Sequence, residues 1–210
     1  MDENGRSSIA GSSASKVGLL SHLDNLLKDL TSGDEARAES AASQLAQLGG
    51  SVLPALDSLL ESSNADHRWW VIRTLAQMPE ADSNCFIKAL NDVSSEVRQA
   101  AALALAAHPA EQAAPILVRA LNDEDTMVQT LTANALCAIG KSVVPILIKE
   151  FPQASPSVKI HMMRVLAEIR DPRAIPVMMK AMENDSAILH HWCEVGLQGL
   201  GLDMVYLKLS

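Results

Sequence analysis

The feature that most constrains this chain is a period. Taking Leu75 as reference, equivalent leucines fall at Leu45, Leu75, Leu105, Leu136, Leu166 and Leu197, at spacings of 30, 30, 31, 30 and 31 residues. A recurrence of this length marks a repeated supersecondary unit that cannot bury its own apolar face and must stack on its neighbours. Other columns fall into the same frame without gaps. Eleven residues before each leucine stand Asp34, Asn64, Ser94, Asp125, Ser155 and Ser186. All six are types whose side chains accept from the free N–H groups of a helix's first turn. Four residues after each leucine come Gly49, Pro79, Pro109, Gly140, Arg170 and Gly201, five of them helix-ending residues. Each unit therefore holds one capped helix of about 14 residues, here called helix B.

A second helix, A, precedes it. Fifteen residues before each reference leucine the chain has Leu30, Leu60, Leu90, Leu121, Phe151 and Met182. Six residues earlier still, Pro54, Pro115, Pro145 and Pro176 recur in four of the six units, where a proline in the first turn forfeits no hydrogen bond. Aromatics make up only 3% of the chain, and alanine and leucine dominate, which favours packed helices over sheet. The expected fold is all-α: an α-solenoid of six two-helix repeats of 30–31 residues, at about 17–49, 50–79, 80–109, 110–140, 141–170 and 171–201. Residues 1–16, rich in Ser and Gly, read as a disordered polar tail, and 202–210 as a C-terminal cap or the start of a further helix.

The segments "APILVRALNDEDTMVQTLTANALCAIG" (114–140) and "EVRQAAALALAAHP" (96–109) resemble HEAT repeats of the short class named for phycobilisome lyases. The resemblance covers roughly residues 17–201. It implies an armadillo-like helical solenoid in which the outer side of helix B lines a concave surface. It implies no single activity, because such repeats serve many roles. The tetratricopeptide and ankyrin signatures are absent.

At about 100° per residue, positions −6 and −2 relative to the reference leucine point away from the buried side of helix B. Those columns give the candidate partner-binding groove: Trp69, Arg73, Gln99, Leu103, Thr130, Asn134, Ile160, Arg164, His191 and Val195. Leu103, Ile160 and Val195 form an apolar track with arginines beside it, suited to a protein or peptide partner and to carboxylates on it. Trp69 either anchors a partner or lies flat under Arg73, four residues on. Trp70 and Trp192, one position further, are expected to pack in the core.

Other chemistry finds little footing. The segment "ILHHWCEV" (188–195) offers His190, Cys193 and Glu194 at helical spacing, but no second ligand pair accompanies it, so no metal site is expected. No histidine is followed by Glu, which removes the His-Glu pairs that HEAT-like di-iron hydroxylases use. The net charge of −8 opposes a nucleic-acid partner. No phosphate loop or nucleophile elbow is present. Arg68, Arg98 and Lys159 form a cationic column at −7 which, by resemblance, makes an inter-repeat ladder with acidic residues. The three cysteines lack disulfide or CxxC spacing, the start lacks an apolar leader, and unbroken apolar stretches such as "AALALAA" (101–107) are too short for a bilayer. The reading is a cytoplasmic, monomeric scaffold with no catalytic residues, cofactor or membrane partner. The alternative is a subunit of a bilin lyase or isomerase whose groove holds a tetrapyrrole.

Overall fold

The computed structural model describes residues 21–183 and 186–202. Among these there are helices and turns and no strand. The polar tail and, beyond Leu202, the C-terminal cap lie outside the described residues. The chain divides into two compact units, one ending at Ala81 and the other beginning at Asp82.

The first unit holds α1 (residues 21–30), α2 (Glu35–Gln47), α3 (Leu53–Leu60) and α4 (Ala65–Leu75). The second holds α5 (Ser83–Ala89), α6 (Ser95–Ala107), α7 (Ala114–Ala120), α8 (Thr126–Ile139), α9 (Val144–Glu150), α10 (Pro156–Ile169), α11 (Ile175–Ala181) and α12 (Ala187–Gly199). Short A helices, with odd numbers, alternate with longer B helices, with even numbers. In the first unit α4 packs on both α2 and α3. In the second, α6, α8, α10 and α12 stack in sequence on one another, and each A helix packs on its own B helix. That is the α-solenoid arrangement of paired helices.

The local chemistry follows the columns. All six −11 residues are the N-caps of their helices, and in Asp34, Asn64, Asp125, Ser155 and Ser186 the side chain accepts from a first-turn N–H. Ser94 is the exception: its hydroxyl donates to Glu96 Oε2 at 2.7 Å. Pro54, Pro115, Pro145 and Pro176 sit in the first turn of α3, α7, α9 and α11. Gly49, Gly140 and Gly201 take positive φ at the ends of their B helices, and Arg170, which breaks the glycine column, takes positive φ as well, in the left-handed helical region at φ 54° and ψ 49°.

The reference leucines are the core. Leu45 and Leu75 in the first unit, and Leu105, Leu136, Leu166 and Leu197 in the second, are buried, together with Leu56, Phe86, Leu117, Leu147 and Met178 from the A helices. Each side chain of this size stabilises by about 1.5–3 kcal/mol relative to exposure. Where B helices meet, small residues such as Ala101, Ala102, Ala133 and Ala135 are buried and let the helix axes approach closely. Residues Thr126–Gln153 form a stretch long and apolar enough, by length and composition, to cross a membrane. It is not one rod, because Gly140 at φ 81° and a 3-10 turn (Gly140–Val143) break it into α8 and α9.

Candidate functional site

In the first unit the outer face of α2 and α4 carries Glu39, Trp69 and Arg73. Arg73 donates from Nε to Glu39 Oε2 at 3.0 Å and from Nη2 to Oε1 at 3.1 Å, a two-pronged bond between neighbouring B helices. Its guanidinium lies 5.3 Å from the Trp69 ring centre and 5.8 Å from that of Trp70, and the two indoles meet edge to face at 4.8 Å. Trp69 is thus half-buried under its own arginine, and Trp70 is buried. The cation–π contact and the exposed ion pair are each worth about 0.5–1 kcal/mol, enough to hold the arginine over the ring.

In the second unit α6, α8, α10 and α12 place Gln99, Leu103, Thr130, Asn134, Ile160, Arg164, His191 and Val195 on one succession of helix faces. All are half-buried or exposed. Leu103 stands out at 57% exposure, and Ile160 and Val195 are partly exposed in the same columns. Polar bonds tie the stack together. Gln99 Nε2 donates to the N-cap Asp125 at 3.2 Å. Arg164 donates from Nε to Glu168 Oε1 at 2.8 Å and from Nη2 to Asn134 Oδ1. Burial lifts the Glu168 carboxyl, but hydrogen bonds from Arg164 and from the Cys137 thiol, with the charge of Arg164, bring it below its ordinary value. Burial, reinforced by Glu168, pushes the Cys137 thiol up to about 12. Burial, then the Arg164 charge, lowers His161, whose Nε2 lies 3.1 Å from Gln129 Oε1. Both candidate arginines are therefore already engaged by neighbouring side chains, so a carboxylate on a partner would compete with Glu39 for Arg73 and with Glu168 for Arg164.

The −7 column behaves differently from the expected ladder. Arg98, only 7% exposed, does bridge repeats: Nε and Nη2 donate to Asp123 Oδ2 and Oδ1 at 2.8 and 2.7 Å. It also donates to its own Asp92 carbonyl at 3.0 Å. Arg68 reaches the Ser62 carbonyl at 2.7 Å and Gln129 the Asp123 carbonyl at 2.6 Å. Three repeats thus share one clamp, in which the −7 side chain closes the A–B turn on the carbonyl six residues earlier. Sequence columns show donors at −7, but the acceptor is backbone and leaves no trace in residue type. Lys159 departs from the pattern and stands 5.8 Å over the Phe151 ring.

Trp192 is half-buried rather than core, edge to face with His191 at 5.3 Å. Cys193 is buried, and burial, then Glu194, raises its thiol to about 11. Among the described residues no group of three His, Cys, Asp or Glu side chains is arranged to hold a metal, and none of the three cysteines, all described, is in a disulfide.

Stacked helix pairs with a turn clamp and a short 30-residue period define a two-helix α-repeat protein. Residues 84–150 match the family model of HEAT repeats, and residues 158–184 that of the PBS lyase HEAT-like repeat; the chain carries HEAT repeats of these kinds. No curated protein matches the sequence. Among solved structures, the complex of CpcE and CpcF of phycocyanin lyase from Nostoc sp. PCC7120 is similar at TM-score 0.54 and 21% identity, over 70% of this chain and 98% of that one. An engineered protein is similar at TM-score 0.53 and 22% identity, over 85% and 98%. A designed armadillo repeat protein in complex with the peptide (KR)4 is similar at TM-score 0.50 and 18% identity, over 85% and 99%. At these identities the likeness is one of fold.

Proposed function

We propose that this protein is a non-catalytic interaction scaffold, cytoplasmic and monomeric, that holds a protein or peptide partner on the outer faces of its B helices. Each unit presents its own stretch: Trp69 with Arg73 in the first, and the face running from Gln99 and Leu103 to His191 and Val195 in the second. The observation that carries this reading is the exposure of Leu103, an aliphatic side chain left 57% open on a face whose polar neighbours are bonded to one another. An apolar patch framed by side chains that already have partners can be covered without stripping unpaired charges of water. Solved relatives of the fold hold a peptide in one case and a partner subunit in another, which supports a protein-binding use. The chromophore alternative has less support, because propionates would have to displace Glu39 from Arg73 and Glu168 from Arg164.

The test is affinity capture from native extract with wild type, Leu103→Glu and Trp69→Ala/Arg73→Ala, with folding checked by circular dichroism. A partner retained by wild type and lost by folded Leu103→Glu supports the reading. A partner held equally by all three proteins refutes it, as does uptake of a visible chromophore in place of any protein.

A further inference from the structure

The second unit contains a half-open cleft of about 320 Å³ bounded by the 3-10 turn after α9 (Phe151–Gln153), by α11 and by the first turns of α10 and α12. Phe151, Pro152, Val177, Ala181 and Leu189 make its walls apolar, and Lys159, Lys180 and Glu183 stand among them. None of these residues belongs to the −6 or −2 columns, so the cleft is separate from the face discussed above.

Its origin lies in a break in the repeat. In the second, third and fourth repeats the −7 side chain (Arg68, Arg98, Gln129) bonds the carbonyl at −13. The fifth repeat replaces the turn with "FPQASP" (151–156). Among the described residues Lys159 makes no such bond; its ammonium lies over Phe151 at the cleft instead. Lys180 likewise has no ion pair among the described residues, though both lysines line the same space as Glu183. A chain of net charge −8 thus presents two cations and one anion around an apolar hollow. Small ligands are typically enclosed over most of their surface, whereas this cleft is at the small end for such a site and open along one side. A polypeptide needs only to seat one side chain while its backbone runs over the rim.

We infer that this cleft docks a polypeptide segment carrying an aliphatic side chain beside a carboxylate, the aliphatic group against Val177, Ala181 and Leu189 and the carboxylate toward Lys159 and Lys180. The experiment is amide chemical-shift titration of the ¹⁵N-labelled full chain with a capped decapeptide bearing one Glu-Leu-Glu core in a Ser/Gly background. Control peptides carry Glu-Ser-Glu and Lys-Leu-Lys. Saturable shifts centred on Val177, Ala181 and Leu189 are expected with Glu-Leu-Glu and not with either control. Affinity should fall about fivefold in Lys159→Gln/Lys180→Gln, the loss of two exposed ion pairs. That variant's spectrum away from the cleft should remain unchanged. Absence of shifts at these amides, equal binding of Lys-Leu-Lys, or sodium hexanoate binding as tightly as the peptide overturns the inference. The last result would assign the cleft to a small amphiphilic acid. Loss of partner capture in Leu103→Glu tests the other face and leaves this result untouched.

Discussion

Gly196→Ala should destabilise the second unit, although alanine normally improves a helix interior by about 1 kcal/mol over glycine. Gly196 occupies position −1, where the other five repeats carry Gln44, Thr74, Ala104, Ala135 and Val165. It can be glycine because Met178 of α11, fully buried, extends into the space that a β-carbon would take. A Cβ built on Gly196 would lie 2.6 Å from Met178 Cε, 2.9 Å from its Sδ and 3.1 Å from Ala167 Cα. The methionine can swing away at about 0.5–1.5 kcal/mol for a poor rotamer, but Ala167 Cα is backbone of α10 and yields only if α12 shifts. Overpacking of this kind costs about 1–3 kcal/mol, so the net change is a loss of about 1 kcal/mol. Gly199, three residues on, is the control. The three nearest atoms its Cβ would meet all belong to the exposed, flexible side chain of Arg170, Nε at 2.8 Å, Cδ at 3.1 Å and Cγ at 3.3 Å, with no backbone among them. Gly199→Ala should therefore gain about 0.5–1 kcal/mol. Urea unfolding followed by circular dichroism measures both, and hydrogen exchange should place the Gly196→Ala loss in α10–α12, since repeat stacks transmit strain mainly to neighbours. If Gly196→Ala proves as stabilising as Gly199→Ala, the close approach of α12 to Met178 and Ala167 is not a constraint and the reasoning fails.

Arg98→Met removes the bidentate bond to Asp123 and the turn clamp; about 2 kcal/mol should be lost at neutral pH, read by calorimetry. Burial raises the Asp123 carboxyl, but Arg98 and the Asp125 N–H outweigh it and hold it below its ordinary value. A lowered folded pKa contributes stability above the unfolded carboxylate value of about 3.9, and that stability disappears as pH falls through the folded pKa. The gap between wild type and Arg98→Met should therefore narrow below about pH 4; a constant gap would sink the assignment. Arg170→Gly relieves a left-handed non-glycine residue and should stabilise by about 1 kcal/mol in thermal unfolding; a loss would mean that the arginine side chain, not the backbone, holds that turn. Cys137 and Cys193, raised to about 12 and about 11, should resist iodoacetamide at pH 8 in the native protein and react once it is unfolded. Native labelling at the rate of a free thiol would contradict the burial of Cys193 and the raised thiol of the half-buried Cys137.

Much of the fold was legible because repetition turns weak local signals into columns. One Ser or Asp before an apolar stretch is poor evidence for a helix start, yet six at −11 became six N-caps, and the prolines of the −21 column all opened A helices. Side-chain direction was legible too: the ten groove residues lie on accessible faces, since position −6 or −2 on a helix fixes which way a residue points. What periodicity could not supply was the far end of each long side chain. Arg73 and Arg164 read as free cations beside apolar neighbours, yet Arg73 reaches across to Glu39 and Arg164 to Asn134, because B helices pack close enough on alanines for adjacent repeats to share bonds, while Glu168 takes Arg164 from one turn further along its own helix. Arg68, Arg98 and Lys159 looked like half of a charge ladder; Arg98 does pair with Asp123, but the acceptor that Arg68 and Arg98 share with the neutral Gln129 is a carbonyl that every residue possesses. Departures from a column then become as informative as the column itself. Arg170 takes glycine's conformation for want of glycine, Gly196 yields its space to Met178, and Lys159 loses its carbonyl where "FPQASP" replaces the usual turn. Each departure marks a place where local packing has overridden the repeat. The fifth turn is the one among them that leaves an apolar hollow beside two lysines that make no ion pair among the described residues, and that is why the docking proposal is tested there separately from the regular B-helix face.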